Sequence, residues 1–293
     1  MKIAELIKQS SRPFYSLEFF PPREREQFPA FLQTAGRLSG LNPLFVSVTY
    51  GAGGGRQDNT LEIARGLKEE CAYLPMPHLT CVGSDGERIL SFLDELAESG
   101  VDNVLALRGD APASASGDPY DWSSGQFGHA SDLVEFIRER RPDFGLAVAG
   151  YPAPHPESPS FAQDRRFCAQ KLAGADFMVT QLFFDAREYV DLLAAMRAAG
   201  VDKLVIPGIL PIQSFESLRH VLSLCGANIP ARLYIALEEA NRKGGAEAVR
   251  EAGLDFAVEQ IKRLLDAGAP GIHLYTLNKA EMCLRLAEAV GGL

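Results

Sequence analysis

The chain has 293 residues, 46% hydrophobic and 23% charged, an ordinary globular composition that excludes the disordered and fibrous classes. Its formal net charge of −9 argues against a nucleic-acid partner, which would favour a basic patch, but leaves room for a local cationic site. No apolar run reaches the about 18 residues of a membrane span.

The opening "MKIAELIKQSS" has neither a long apolar stretch nor a small-residue cleavage site. It reads as a short amphipathic helix, and a cytoplasmic protein with no membrane partner is expected. Strands are predicted over Tyr15–Phe20, Phe45–Tyr50, Pro75–Cys81, Asn103–Gly109, Gly145–Tyr151, Phe177–Phe184, Lys203–Leu210 and Gly271–Leu277. Between them, "DNTLEIARGLKEE", "DGERILSFLDELAESG", "ASDLVEFIRERR", "AREYVDLLAAMRAAG" and "SFESLRHVLSLCGA" carry helical apolar spacing, several opening on an Asp or Ser cap. The segment from Pro230 to Ala269 holds more helix than one unit needs, so an extra helix is expected before the last strand, broken at "NRKGGAEA".

The phrases "SGVDNVLAL", "AGADFMVTQL", "AGVDKLVIPG" and "AGAPGIHLYT" each join a helix end to the next strand. Gly100, Gly174, Gly200 and Gly268 fall where a left-handed helix terminator belongs. Repeated helix–Gly–strand units mean parallel strands with helical crossovers. Eight such units predict an α/β fold, a (β/α)8 TIM barrel, with an open doubly wound sheet as the competitor. No linker divides it, so one barrel domain over residues 1–293 is expected.

In such barrels the chemistry sits at the C-terminal ends of the strands. The polar residues there are Glu18, Ser47 and Thr49, His78, Arg108 and Asp110, Tyr151 and His155, Thr180 and Gln181, and Tyr275, Asn278 and Lys279. Alternation of side chains puts Leu17 and Phe19 toward the helices and Ser16, Glu18 and Phe20 toward the interior. A buried carboxylate is costly unless paired, so Glu18 either pairs structurally with Arg108 or serves chemistry. His78 is a hydrogen-bonded core residue or a ligand contact. The five histidines lack metal spacing, and no metal is expected. "GAGGGRQD" has the glycines of a phosphate loop but fails the dinucleotide fingerprint at Arg56. Five cysteines without a C-x-x-C pair read as reduced thiols.

The segments "LEFFPPR", "FVSVTYGAGG", "PHLTC", "ALRGD", "ASDLV", "YPAPHPE", "TQLFFD", "IPGILPI" and "HLYTLNKAEM" occur in this order across nearly the whole chain. In this they resemble the methylenetetrahydrofolate reductase family. The resemblance implies a FAD-binding barrel that reduces 5,10-methylenetetrahydrofolate to 5-methyltetrahydrofolate. NADH or NADPH first reduces the flavin and leaves, and the folate then takes its place, a ping-pong sequence. It implies that Glu18 is the general acid that protonates the departing amine, its pKa raised by burial beside Phe19, Phe20 and Pro21. It makes Asp110 an electrostatic stabiliser near the flavin, Gln181 a contact to nicotinamide and pterin, and Lys279 a partner for the folate's glutamate carboxylate.

For FAD the resemblance carries over to Thr49, Tyr50, Ala52, Gly53, His78, Arg108, Gly109, Asp110, His129, Ala130, Tyr151, His155, Ser158, Asp164 and Lys171. Arg108, His155 and Lys171 would serve the diphosphate, and Asp164 a ribose or the ordering of Lys171. The chain departs from some relatives at His129, Ser217 and Val221. No counterpart of the C-terminal regulatory domain of eukaryotic relatives is expected, nor inhibition by S-adenosylmethionine through it. Homo-oligomers are common in the family. Two other readings compete: a barrel aldolase or lyase using Lys171 or Lys279 as a Schiff-base nucleophile, and a non-catalytic flavin- or folate-binding subunit.

Overall fold

A computed structural model describes residues 1–22, 24–49, 57–111, 120–122 and 125–293. Among these residues nine parallel strands make one sheet: β1 (Phe14–Phe19), β2 (Phe45–Val48), β3 (Pro75–Thr80), β4 (Asn103–Leu107), β5 (Gly145–Gly150), β6 (Phe177–Thr180), β7 (Leu204–Ile206), β8 (Gly208–Ile209) and β9 (Gly271–Tyr275). Their order is β7-β6-β5-β4-β3-β2-β1-β9-β8. The two ends of that order are the same stretch of chain, since only Pro207 separates β7 from β8. The ring therefore closes as a (β/α)8 barrel whose seventh strand is broken in two.

Proline explains the break. It has no N–H for the ladder, while its carbonyl still accepts from the His273 N–H at 2.9 Å. So β7 pairs with β6 and β8 with β9. The sequence read this as one continuous strand. Gly208, just after the break, is needed for its small size. A Cβ there would lie 2.4 Å from the Thr180 carbonyl and 2.6 Å from the Tyr275 ring.

Helix α1 (Ile3–Gln9) opens the chain, and α2 (Phe28–Gly36), α3 (Gln57–Glu69), α4 (Gly86–Glu98), α5 (Ala130–Arg140), α6 (Phe161–Gly174), α7 (Ala186–Ala198), α8 (Phe215–Cys225), α9 (Ala231–Asp266) and α10 (Ala280–Val290) follow. Side chains of Asp85, Ser160, Asp185 and Ser214 cap α4, α6, α7 and α8, accepting from first-turn amides as expected of these residue types. The expected extra helix is the first part of α9, which breaks at Gly244 and Gly245, the latter at φ 61°. Gly100, Gly200 and Gly268 have positive φ. Gly174 is different: it stays helical and gives room to Val134, whose Cγ1 would lie 2.6 Å from a Cβ at that position.

Three apolar clusters divide the work. The largest lies between sheet and helices and contains Leu17, Phe19, Val46, Val48, Leu79 and Val104, the outward set that alternation predicts. A second fills the lower interior with Phe14, Phe45, Met76, Leu105, Ala147 and Phe177, plugged from below by Ile3, Ala4 and Ile7 of α1. The third joins Leu182, Phe184, Leu210 and Ile212, beyond β6 and β8, to Phe215 and Leu218 of α8 and Leu233, Leu237 and Val249 of α9. The extra helical segment thus builds a wall beside the strand ends, where the polar residues gather.

Candidate active site

Above the apolar floor the barrel interior turns polar. Ser16, Glu18, Ser47, His78 and His273 are all buried, Glu18 at 6% exposure and His273 at 1%. They come from four strands brought into register: Ser16 lies opposite His273, Glu18 opposite Tyr275 and Ser47. Glu18 Oε2 lies 3.3 Å from His78 Nε2 and 3.7 Å from His273 Nε2. The Ser47 hydroxyl donates to the same Oε2 at 3.4 Å. The backbone carbonyl of Glu18 accepts from the Thr276 hydroxyl at 2.6 Å.

This corrects two sequence expectations. The partner of Glu18 is not Arg108 but a pair of imidazoles. Nor is its pKa raised in this state. Burial pushes the carboxyl up, but hydrogen bonds and charge from His273 and His78 outweigh burial and bring it down to about 2. An imidazole beside a desolvated carboxylate favours its charged form. His78 Nε2 is itself buried, with no hydrogen-bond partner besides this contact with Glu18. His273 was absent from the expected site. Alternation could have found it, because it shares a strand face with Tyr275.

Arg108 follows β4 and is held from two sides. Its guanidinium donates to both Glu157 oxygens, at 2.7 and 2.8 Å, and lies 3.9 Å from the ring centroid of Trp122. The Glu157 hydrogen bond raises Arg108 further above its ordinary value, and Arg108 lowers Glu157. Gly109 follows at φ 89°, where a Cβ would meet Val82 at 2.6 Å. That turn lets Arg108 and the exposed Asp110 leave the strand end.

The loop after β5 is anchored by a buried ion pair. Asp164 accepts from the His155 backbone N–H at 3.0 Å and the Ser158 hydroxyl at 2.9 Å. Arg165 donates to the carbonyls of Tyr151, at 2.8 Å, and Pro152, and pairs with Asp164 at 3.3 Å. Asp164 is therefore engaged in ordering this loop. His155 packs edge-on against Tyr151 at 4.7 Å. Its pKa is lowered by burial first, with Arg108 and Lys171 nearby adding to the effect.

Lys171, on α6, is lowered by burial, with Arg108 again contributing. Among the described residues its ammonium has no ion-pair partner. Arg108, His155 and Lys171 thus lie close enough to act on one another electrostatically. Burial raises the Tyr151 phenol, and the Gln181 side chain offsets part of that. Gln181 also accepts from the Leu182 N–H at 2.8 Å. Tyr275 donates to the Thr180 carbonyl at 2.7 Å.

Other expected residues have local roles. His129 is exposed and sits at the start of α5, where Asp132 accepts from the backbone N–H groups of Gly128 and His129. Ala130 opens that helix. Thr49 donates its backbone N–H to Phe19 at 3.0 Å. Lys279 is exposed at the start of α10. Just before it, Asn278, at φ 56°, accepts from the Phe20 N–H and donates to the Phe20 carbonyl, tying the ends of β1 and β9 together. Phe20 itself lies past the end of β1 and is 37% exposed. Ser217 exchanges capping hydrogen bonds with Ser214, and Val221 packs on the wall cluster. Tyr50, Ala52 and Gly53, expected to touch FAD, lie outside the described residues, as does most of the glycine-rich loop. Neither Lys171 nor Lys279 lies on an interior strand face, the position an aldolase lysine would need. Among the described residues no cluster is placed to hold a metal ion, and no helix is long and apolar enough to cross a membrane.

The profile of the family described as methylenetetrahydrofolate reductase matches residues 2–291. The chain belongs to the methylenetetrahydrofolate reductase family. It is similar to methylenetetrahydrofolate reductase (NADH) 1 of Arabidopsis thaliana, at 37% identity over 99% of this chain and 51% of that protein. It is also similar to 5,10-methylenetetrahydrofolate reductase of Escherichia coli, at 35% identity over 94% of this chain and 90% of that one. The chain thus spans about half the length of the plant reductase it matches. Among solved structures, a Clostridium thermocellum protein described as binding two copies of 5-methyl-5,6,7,8-tetrahydrofolic acid superposes with a TM-score of 0.64 over 99% of this chain and 98% of that one. At 14% identity it speaks for the barrel fold alone.

Proposed function

We propose that this member of the methylenetetrahydrofolate reductase family reduces 5,10-methylenetetrahydrofolate to 5-methyltetrahydrofolate by a ping-pong sequence, with NADH or NADPH as reductant and FAD as cofactor. The observation that carries the reading is Glu18, a buried carboxylate at the C-terminal end of β1 with two imidazoles against it. A stable barrel gains nothing from such a group, since burying charge is costly even when paired. The relatives' names support the substrate, and they divide between NADH and NADPH. Residues 1–293 are read as one catalytic unit, acting as a homo-oligomer. The free cysteines fit a reducing compartment such as the cytoplasm.

Arg108, His155 and Lys171 together fit a dinucleotide diphosphate, with Lys171 contributing a half-buried ammonium that makes no ion pair among the described residues. His78, which touches Glu18, and Tyr151, which packs on His155, would contact the cofactor together with Gly109 and Asp110. Thr49, Ala130 and Ser158 would line the remainder of the cofactor's length. FAD, when bound there, supplies the hydride chemistry. The protein's own task is proton delivery and orientation. Opening the folate's imidazolidine ring needs a proton on the departing amine nitrogen. Glu18 delivers it, with the His78 imidazole 3.3 Å away from its carboxyl. Closing the mouth with ligand removes water and strengthens the burial effect that raises Glu18. Asp110 stabilises the cationic iminium formed on the folate, Gln181 orients nicotinamide or pterin, and Lys279 holds the glutamate tail.

The cofactor assignment has a direct reporter. Trp122 is the chain's one tryptophan and lies on the Arg108 guanidinium. Titrating flavin-free protein with FAD is expected to quench its fluorescence saturably. Arg108→Met should weaken FAD by about tenfold or more, the worth of a charge-assisted hydrogen bond, and riboflavin, which lacks the diphosphate, much less. Unchanged fluorescence together with no retained flavin would contradict the cofactor assignment.

A further inference from the structure

The polar layer inside the barrel continues past Glu18 to Ser16 and His273. His273 is 1% exposed, so it does not face the mouth. Its Nδ1 lies 2.8 Å from the Ser16 hydroxyl. Its Nε2 lies 3.5 Å from the Ser47 hydroxyl and 3.7 Å from Glu18 Oε2. The ring is fixed by near-parallel stacking on Phe45, with centroids 6.2 Å apart, and by an edge contact with Tyr275 at 5.3 Å. Immediately beneath, the interior is filled by Phe14, Phe45, Met76 and Phe177. Apolar residues would fill the His273 position as well, so the imidazole and two serines call for a purpose.

We infer that His273, backed by Ser16, is a positioning residue that keeps the Glu18 carboxyl paired in both of its protonation states. This rests on the reading of Glu18 as general acid. A neutral imidazole donates from one nitrogen and accepts at the other, and a serine hydroxyl can do either. With its hydrogen on Nε2, His273 faces a carboxylate, and Ser16 donates to Nδ1. With the hydrogen on Nδ1, Ser16 accepts it, and Nε2 faces the protonated acid. The Ser47 hydroxyl spans the 3.7 Å gap in either case. Glu18 can thus gain or lose its proton without stranding a buried polar group, which would otherwise be costly. The other titratable groups facing Glu18 are His78 from β3 and Tyr275 from β9; among the described residues neither is hydrogen-bonded to a buried hydroxyl as His273 is to Ser16.

The test measures the two half-reactions separately in His273→Leu and Ser16→Ala, with Glu18→Gln as reference. Oxidation of reduced flavin by the folate should slow about tenfold or more in His273→Leu, and several-fold in Ser16→Ala. Flavin reduction by NAD(P)H should stay close to the wild-type rate in both variants. Because His273 lowers Glu18, its removal should move the descending limb of the folate half-reaction's pH profile upward, by about one pH unit. Should His273→Leu fail to fold, Ser16→Ala decides the matter. Wild-type folate rates with an unmoved pH profile would overturn the inference, as would equal losses in both half-reactions. If Glu18→Gln itself leaves the folate half-reaction intact, the general-acid reading fails instead.

Discussion

Glu18→Gln is expected to slow the folate half-reaction by ~10²–10⁴-fold, the range lost with a positioned general acid, while NAD(P)H still reduces the flavin. The glutamine keeps the shape and one hydrogen-bonding oxygen, so packing against Ser47 and the imidazoles survives. What it lacks is a proton to give. The unliganded site makes the point sharper, since Glu18 lies near 2 there and is ionised at neutral pH. An ionised carboxylate cannot act as an acid, so it must take up a proton once ligand covers the mouth and burial raises it. Stopped-flow absorbance of the two halves separates the cases. A deficit confined to the folate half supports proton delivery. Equal deficits would mean that Glu18 only holds the barrel interior together.

Arg165→Leu is expected to have the largest effect on stability. Arg165 is 7% exposed, and its guanidinium gathers the carbonyls of Tyr151 and Pro152, the Asp164 carboxylate and the face of Phe161. Removing it leaves Asp164, also 7% exposed, as a buried charge without its cation. Losing one partner of a buried pair typically costs about 3–5 kcal/mol. Asp164 keeps two hydrogen bonds from the loop, which places the expectation at about 3 kcal/mol. The same carbonyls fix the loop that presents Tyr151, His155 and Glu157, so FAD affinity should fall as well. Urea unfolding of the flavin-free protein checks the first part. A loss below about 1 kcal/mol would mean that the pair is solvated in practice and that its role in ordering the loop is small.

Most of the barrel was legible in the sequence, because its signals are local. Alternation on β1 separated Leu17 and Phe19 from Ser16 and Glu18, and glycines at Gly100, Gly200 and Gly268 marked helix ends through their positive φ. The broken seventh strand was also signalled, by Pro207 within an apparent interior strand. The surroundings of Glu18 were not. Its partners His78 and His273 reach it only through the register of β3 and β9 around a closed ring, and register is set by tertiary packing. Arg108 shows the same limit. Its partners Glu157 and Trp122 come from loops, whose course no periodicity encodes. The apolar neighbours visible in the sequence argued for a raised Glu18, and they do push it up; the imidazoles that outweigh them are distant in the chain.

The central claim is that one bound flavin serves two reductive halves at this barrel mouth. It is tested most directly by anaerobic visible spectroscopy of the purified protein loaded with FAD. NADH or NADPH should bleach the yellow flavin, and methylenetetrahydrofolate added after the nicotinamide is exhausted should restore the colour with 5-methyltetrahydrofolate as product. A protein that takes up no FAD, or whose bleached flavin is not reoxidised by methylenetetrahydrofolate, would contradict the account.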